Sequence, residues 1–240
     1  MSGHSRWSNI KRKKEKSDAQ KEKIFTKIGR ELSVAVRQGG PDPASNSKLK
    51  ECISKARSFN VPNENIKNII RKAASGNTNS NCKSFMYQGY GPENVAFIVS
   101  TLTNNKNRTS SNIRMYFDKS GGSLGYVLFM FDEKGEITIE RNQNIIEDEL
   151  FNDSLRSGAS DFYSYEDSFV LTTEKSDFEN VKREITSKGY EIMSSEIAMV
   201  PKSCYVIKNP AIKDKILNFI DTLENDEDVQ CVWSNYEFDE

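Results

Sequence analysis

The sequence predicts a multidomain α+β protein in which an N-terminal three-helix bundle precedes mixed α and β elements. Three observations carry that prediction. Charge is divided along the chain: residues 1–75 hold 18 Lys and Arg against 7 Asp and Glu, and the rest hold 16 against 28. The near-neutral total of −1 thus conceals a net of about +11 followed by about −12, the mark of a polyanion-facing module on an acidic body. Hydrophobic periodicity changes at the same place, from helical before residue 75 to alternating strands and helices after residue 83. Length is the third, since 240 residues exceed the usual size of one domain and favour two or three.

Residues 1 to about 18 carry few large apolar side chains beyond Trp7 and Ile10 and read as a basic arm. From Ala19 a helix is expected. Ile24, Phe25, Ile28, Leu32, Ala35 and Val36 share one side of its wheel, and Lys16, Lys23, Lys27, Arg30 and Arg37 gather on the other. Gly39-Gly40 and Pro41-Asp42-Pro43 stop it. A second helix is expected over Asn46 to Phe59, with Leu49, Ile53, Ala56 and Phe59 inward. A third restarts at Val61-Pro62-Asn63 and ends near Gly76, burying Ile66, Ile69, Ile70 and Ala73. Three amphipathic helices with short turns make a small bundle.

The polar stretch 75–83 reads as a linker. Beyond it, Phe85-Met86-Tyr87 and Val95 to Val99 read as strands around Gly89-Tyr90-Gly91-Pro92. Asn104 to Ser120 reads as a helix closed by Gly121-Gly122, and Tyr126 to Phe131 as a strand. A β-α-β-α-β run follows: Ile137-Thr138-Ile139, a helix Asn144 to Ser157, Phe169-Val170-Leu171, a helix Asp177 to Lys188, and a strand Glu191 to Met199 broken by Pro201. A helix Ala211 to Leu223 and a strand Val229 to Phe238 close the chain. Periodicity leaves two topologies open: these last elements complete the sheet begun at 84–131, or they belong to a simple third domain.

Composition excludes several classes of function. No stretch approaches the roughly 18–20 apolar residues of a membrane span, and mean hydropathy is −0.68. The charged N-terminus is followed by no apolar core of a signal peptide, and Glu15, Asp18 and Glu22 are atypical of a mitochondrial presequence; a cytoplasmic protein is expected. Cysteines at 52, 82, 204 and 231 form no Cys-x-x-Cys pair, and His4 is the single histidine. The cysteines read as reduced thiols packed as small hydrophobes, with no metal site and no cofactor expected. No nucleophile–base set converges, so no enzyme and no small-molecule substrate are expected.

The expected partner is nucleic acid. Lys11, Arg12, Lys13 and Lys14, with Lys23, Lys27, Arg30 and Arg37 of the helix stripe, would neutralise phosphates in a salt-dependent, sequence-tolerant manner. His4 and Arg6 join them as hydrogen-bonding or phosphate-facing groups. Trp7 either stacks on an exposed base or pins the arm to the bundle. Lys106 and Arg108 stand in the first turn of an expected helix, where free N–H groups favour an anion; they either hold one, point to solvent or pair with nearby acids. Gly89-Tyr90-Gly91-Pro92 lacks the spacing of a phosphate loop and reads as a tight connection. The acidic runs Glu147-Asp148-Glu149 and Glu224 to Asp228 read as solvated helix-surface acids that repel nucleic acid and confine its binding to the N-terminal face.

Several stretches resemble the YebC/PmpR family, which includes bacterial regulatory proteins and the mitochondrial translational activator of a cytochrome oxidase subunit. They are Gly3-His4-Ser5-Arg6-Trp7-Ser8-Asn9-Ile10-Lys11, Lys23-Ile24-Phe25-Thr26-Lys27, Gly39-Gly40 with Asp42-Pro43, Gly89-Tyr90-Gly91-Pro92, Leu102-Thr103-Asn104 running to Asn107-Arg108-Thr109, and Asp228-Val229-Gln230. In this order they cover essentially the full chain. The resemblance implies a bundle over 1–76, an α+β domain over 84–131 plus 206–240, and a ferredoxin-like domain over 132–205 inserted in the second. It also implies a DNA-binding transcriptional regulator or, as the alternative, a ribosome-associated translation factor that binds rRNA and relieves stalling, without enzymatic activity or cofactor. One departure stands out: after Gly121-Gly122-Ser123-Leu124-Gly125 the chain runs directly into Tyr126-Val127-Leu128, about three residues short of the family pattern.

Overall fold

A computed structural model describes residues 18–76 and 82–238, the first four of these by their backbone alone. The N-terminal helices are α1 (Asp18–Gly39), α2 (Ser47–Ser58) and α3 (Asn63–Ala74). Their core is drawn entirely from residues between Ile24 and Ala73, with Leu32, Leu49 and Ala56 fully buried. Helix α1 runs as far as its apolar spacing does and stops at Gly40, whose φ of +87° suits glycine. Asn46 fixes the turn that follows. Its Nδ2 donates to the carbonyls of Ala35 and Gly40 at 2.8 Å each, and its Oδ1 accepts from Leu49 N at 3.0 Å. One side chain thereby closes α1 and caps α2.

The first sheet has the order β3-β1-β2-β9, with β1 Lys83–Tyr90, β2 Ala96–Thr103, β3 Ser123–Leu124 and β9 Val229–Ser234, all antiparallel. Strands from both ends of the 84–240 stretch therefore share one sheet. Strand β2 is buried on both faces. Phe97 and Val99 pack toward α4 (Lys106–Lys119) and α7 (Pro210–Asn225), whereas Ala96 and Ile98 pack against Val127, Phe131, Met199 and Trp233 on the other side. Between these lie β4 (Phe131–Glu140), α5 (Glu147–Ser157), β5 (Asp161–Ser164), β6 (Ser168–Glu174), α6 (Phe178–Ser187) and β7 (Ile192–Pro201). Their antiparallel order β5-β6-β4-β7, with both helices packed against it, is the ferredoxin-like arrangement. The fold is thus an N-terminal helical bundle followed by α+β units.

Two expectations are corrected, and one strand was not expected. Tyr126 to Phe131 is not a strand: Gln88 Oε1 accepts from the amides of Val127 and Leu128 at 2.9 and 2.8 Å, residues 128–130 form a 3₁₀ turn, and the strand begins at Phe131. The apolar run serves two purposes instead. Val127 is buried, while Tyr126 and Phe129 stand exposed and stacked at 5.9 Å. The strand Val229 to Phe238 is split at Asn235, whose Oδ1 accepts from Ala96 N at 2.8 Å. Beyond it, β10 (Tyr236–Phe238) leaves the sheet and pairs in parallel with β8 (Tyr205–Ile207). Strand β5 escaped notice because it is short, lies at a sheet edge and has little buried surface.

Two glycine motifs meet at the end of β1. Helix α4 closes on Gly121, with φ of +78°, and Gly122 N bonds to Phe117 O at 2.9 Å. A Cβ on Gly122 would lie 2.2 Å from Tyr90 O and 2.9 Å from Gly91 Cα. Those are backbone atoms of the other motif and have no flexible end to move aside. Gly122→Ala is accordingly expected to cost about 2–3 kcal/mol, read as a lowered urea midpoint of the α+β body with an unchanged slope.

Candidate nucleic-acid interface

A dense set of polar contacts lies where α1 meets the segment 224–228, which spans the end of α7 and the turn into β9. Helix α7 ends as Asp226 N bonds to Leu223 O, and Asp226 Oδ1 then accepts from Asp228 N at 2.8 Å, turning the chain into β9. This turn sends Asp228 inward, where it is 3% exposed. Its Oδ2 accepts from Arg108 Nη2 at 2.7 Å, Thr109 Oγ1 at 2.8 Å and Thr103 Oγ1 at 3.1 Å. Its Oδ1 accepts from Arg30 Nη1 at 3.1 Å. Burial would push this carboxyl up, but the hydrogen bonds from Arg108, Thr109 and Thr103 outweigh burial and hold it below the ordinary carboxylate range.

The neighbours complete the turn. Asp226 Oδ2 accepts from Tyr116 OH at 3.0 Å and Asn112 Nδ2 at 3.2 Å. Burial, reinforced by that acceptor, pushes the Tyr116 hydroxyl up to about 12. Arg30 reaches across with the rest of its fork, Nη1 to Glu227 O at 2.8 Å and Nη2 to Glu227 Oε2 at 2.9 Å. One and two turns earlier on α1, Lys27 Nζ donates to Glu224 O at 2.7 Å and Lys23 Nζ to Asn225 Oδ1 at 3.4 Å. A cleft of about 460 Å³ opens beside these groups, lined by Arg30, Cys82, Asn104, Arg108, Asn112 and the 226–228 turn.

The structure therefore divides the residues singled out from the sequence. Lys23, Lys27 and Arg30 come together, facing an acidic segment of the same chain. Arg37, at the far end of α1, is exposed and apart from them. Arg108 is engaged by Asp228, and the first turn of α4 is capped from within, Asn105 Oδ1 accepting from Arg108 N at 3.1 Å. Lys106 lies over the Phe85 ring, 5.1 Å from its centre. His4, Arg6, Trp7, Lys11, Arg12, Lys13 and Lys14 lie outside the described residues. Sequence reasoning missed Asp226 and Asp228, which it took for solvated helix acids. The available signal was the Asp-x-Asp turn between a helix and a strand, directly after an apolar helix face.

Known proteins give the same architecture. Residues 5–76 match the family described as the TACO1/YebC protein N-terminal domain, and residues 82–236 the one described as the TACO1/YebC second and third domain. A relative from Acetivibrio thermocellus, named a probable transcriptional regulatory protein, is 46% identical over 239 residues, covering 98% of this chain and 99% of its own length. One of the same name from Clostridium acetobutylicum is 44% identical over 243 residues, with 100% and 98% covered. The crystal structure of a conserved hypothetical protein from Aquifex aeolicus matches with a TM-score of 0.84 at 35% identity, over 94% of this chain and 93% of that one. No helix among the described residues is long and apolar enough to cross a membrane. This chain belongs to the TACO1/YebC family.

Proposed function

We propose that this chain is a nucleic-acid-binding regulator of gene expression, gripping phosphate with its N-terminal basic region while its acidic body faces away from the polymer. The observation that carries this reading is the placement of charge. Even with Lys23, Lys27 and Arg30 turned toward the body, the bundle exposes Arg37, Lys48, Lys50, Lys67, Arg71 and Lys72, next in sequence to the basic arm. We take the functional units to be 1–76, 84–131 plus 206–240, and 132–205, with the first as the contact module and His4, Arg6 and Trp7 beside the arm lysines at the contact. Lys106 and Arg108 serve the fold more than an external anion on this reading. We assign no catalytic activity, and a cytoplasmic site of action accords with a regulator.

The partner's identity divides into two readings. The relatives' names favour DNA and transcription. Phosphate contacts by Lys and Arg position a protein without reading bases, which suits ribosomal RNA recognised by shape and a translation factor. The second reading is the one we favour mechanistically. The test is co-sedimentation with ribosomes beside duplex-DNA binding, each across a salt series, with Lys11, Arg12, Lys13 and Lys14 changed to Ala in parallel. Ribosome association that outlasts DNA binding as salt rises, and weakens by at least tenfold in the arm variant, is the expected result. Sequence-selective DNA binding without ribosome association would make the protein a transcriptional regulator instead. Binding to neither would overturn the proposal.

A further inference from the structure

We propose that the row Lys23, Lys27 and Arg30 is a phosphate-binding surface held closed in cis by the segment 224–228, and that nucleic acid opens this clasp by competing for the same cations. The inference rests on the reading above and adds its regulation.

The chemistry on the two sides is interchangeable. At i, i+4 and i+7 the three cations line one face of α1 over about 10 Å of helix, a distance over which a duplex presents several phosphate charges. Arg30 presents both ends of its guanidinium to oxygen acceptors of Glu227 and Asp228, and the same fork suits phosphate. Lys27 donates to the Glu224 carbonyl and Lys23 to the Asn225 side-chain oxygen, and a phosphate oxygen is an acceptor of the same geometry that also carries charge.

Opening leaves no orphaned charge. Without Arg30, Asp228 keeps Arg108, Thr103 and Thr109. Glu227 is already 69% exposed, and the Glu224 carbonyl stands in the last turn of α7, where water readily serves helix ends. The bundle also keeps its core, which includes no apolar residue from the rest of the chain. It also touches the body where α2 meets β7. A polar junction of this kind permits relative movement of two units, and its more exposed ion pair, Arg30 with Glu227, is weak and screened by salt.

The test uses the full chain at fixed low ionic strength, with inorganic polyphosphate and a 20-nucleotide single-stranded RNA as probes. Binding and the radius of gyration from small-angle scattering are followed together. Polyphosphate is expected to enlarge the wild-type molecule. Glu227→Gln is expected to tighten binding about two- to fivefold, the worth of one exposed pair. Arg30→Gln should weaken binding, lower the salt slope by about 1 and abolish the gain from Glu227→Gln. Asp214→Asn removes the same charge from an exposed position on α7 away from the clasp, and should leave affinity unchanged. A gain equal to that of Glu227→Gln would mean bulk charge alone and overturn the clasp. RNA binding with equal affinity in wild type and Glu227→Gln, at unchanged dimensions, would retire the clasp and leave the proposed function standing. Opening by polyphosphate without RNA, ribosome or DNA binding would keep the closed phosphate-binding surface but overturn nucleic acid as what opens it, and would retire that function. Absence of polyphosphate binding by both wild type and Glu227→Gln would overturn the clasp.

Discussion

Asp228→Ala is expected to destabilise the α+β body by about 2–3 kcal/mol and to loosen the bundle from it. The carboxylate gathers four donors from three parts of the chain: Arg30 on α1, Thr103 at the end of β2, and Arg108 and Thr109 on α4. Truncation deprives the buried Thr103 hydroxyl of its acceptor and both guanidiniums of a carboxylate, while Thr109 keeps the Asn105 carbonyl and Arg30 keeps Glu227. The cost falls below that of breaking a fully buried pair because the Arg108 side chain is 52% exposed and turns to water. Its pH dependence has a definite sign. A carboxyl held below its ordinary value contributes stability that is fully present above the unfolded value of about 4, and loses it as pH falls through the folded value. Urea titrations of wild type and variant should therefore differ at pH 7 and converge as pH falls below the ordinary carboxylate range. A gap that persists in acid would mean that side-chain packing, rather than the ionised carboxylate, is what was lost.

Phe219→Ala should cost more, about 4 kcal/mol. On α7, Phe219 meets Phe97 of β2 and Phe117 of α4 edge-on, each at 5.0 Å between ring centres. It is the piece that joins both helices to the central strand. Neighbours cannot collapse into the space, because Phe97 and Phe117 are fully buried and held by their own elements. Loss of these edge contacts adds to the transfer and cavity costs. The expected reading is an early unfolding transition for the α+β body while the helical bundle, with its separate core, melts as before. A bundle that melts together with the body would show that the two are energetically one unit.

Much of the fold was legible in the sequence because its signals are local. The spacing of Ile28, Leu32, Ala35 and Val36 marks a buried helix face wherever that helix lies, and Gly121-Gly122 marks a helix end. The ferredoxin-like unit was less legible from periodicity, which gave its helices and central strands but not the edge strand Asp161–Ser164. The run from Tyr126 to Phe131 misled for a physical reason. An apolar run signals burial only on average, and here a side-chain amide on Gln88 takes both backbone N–H groups that a strand would pair.

The site was the least legible part. A cation that faces another unit of the same chain occupies the same wheel position as one that faces solvent. Arg30 therefore looked no different from Arg37. The acid that Arg30 meets, Asp228, lies 198 residues away, beyond any periodicity. Arg108 and Asp228, 120 residues apart, were hidden in the same way. Charge asymmetry located the basic region, and only the fold assigned its individual residues.

The central claim is that nucleic acid contacts the basic N-terminal region and avoids the acidic body. The most direct measurement is photo-crosslinking of the full chain to bound RNA, or to ribosomes, followed by mass-spectrometric mapping of the crosslinked residues. The account predicts crosslinks concentrated within residues 1–76, at the arm and at Lys23, Lys27 and Arg30 once the clasp has opened. Crosslinks concentrated in residues 132–205, with residues 1–76 left unmodified, would contradict it.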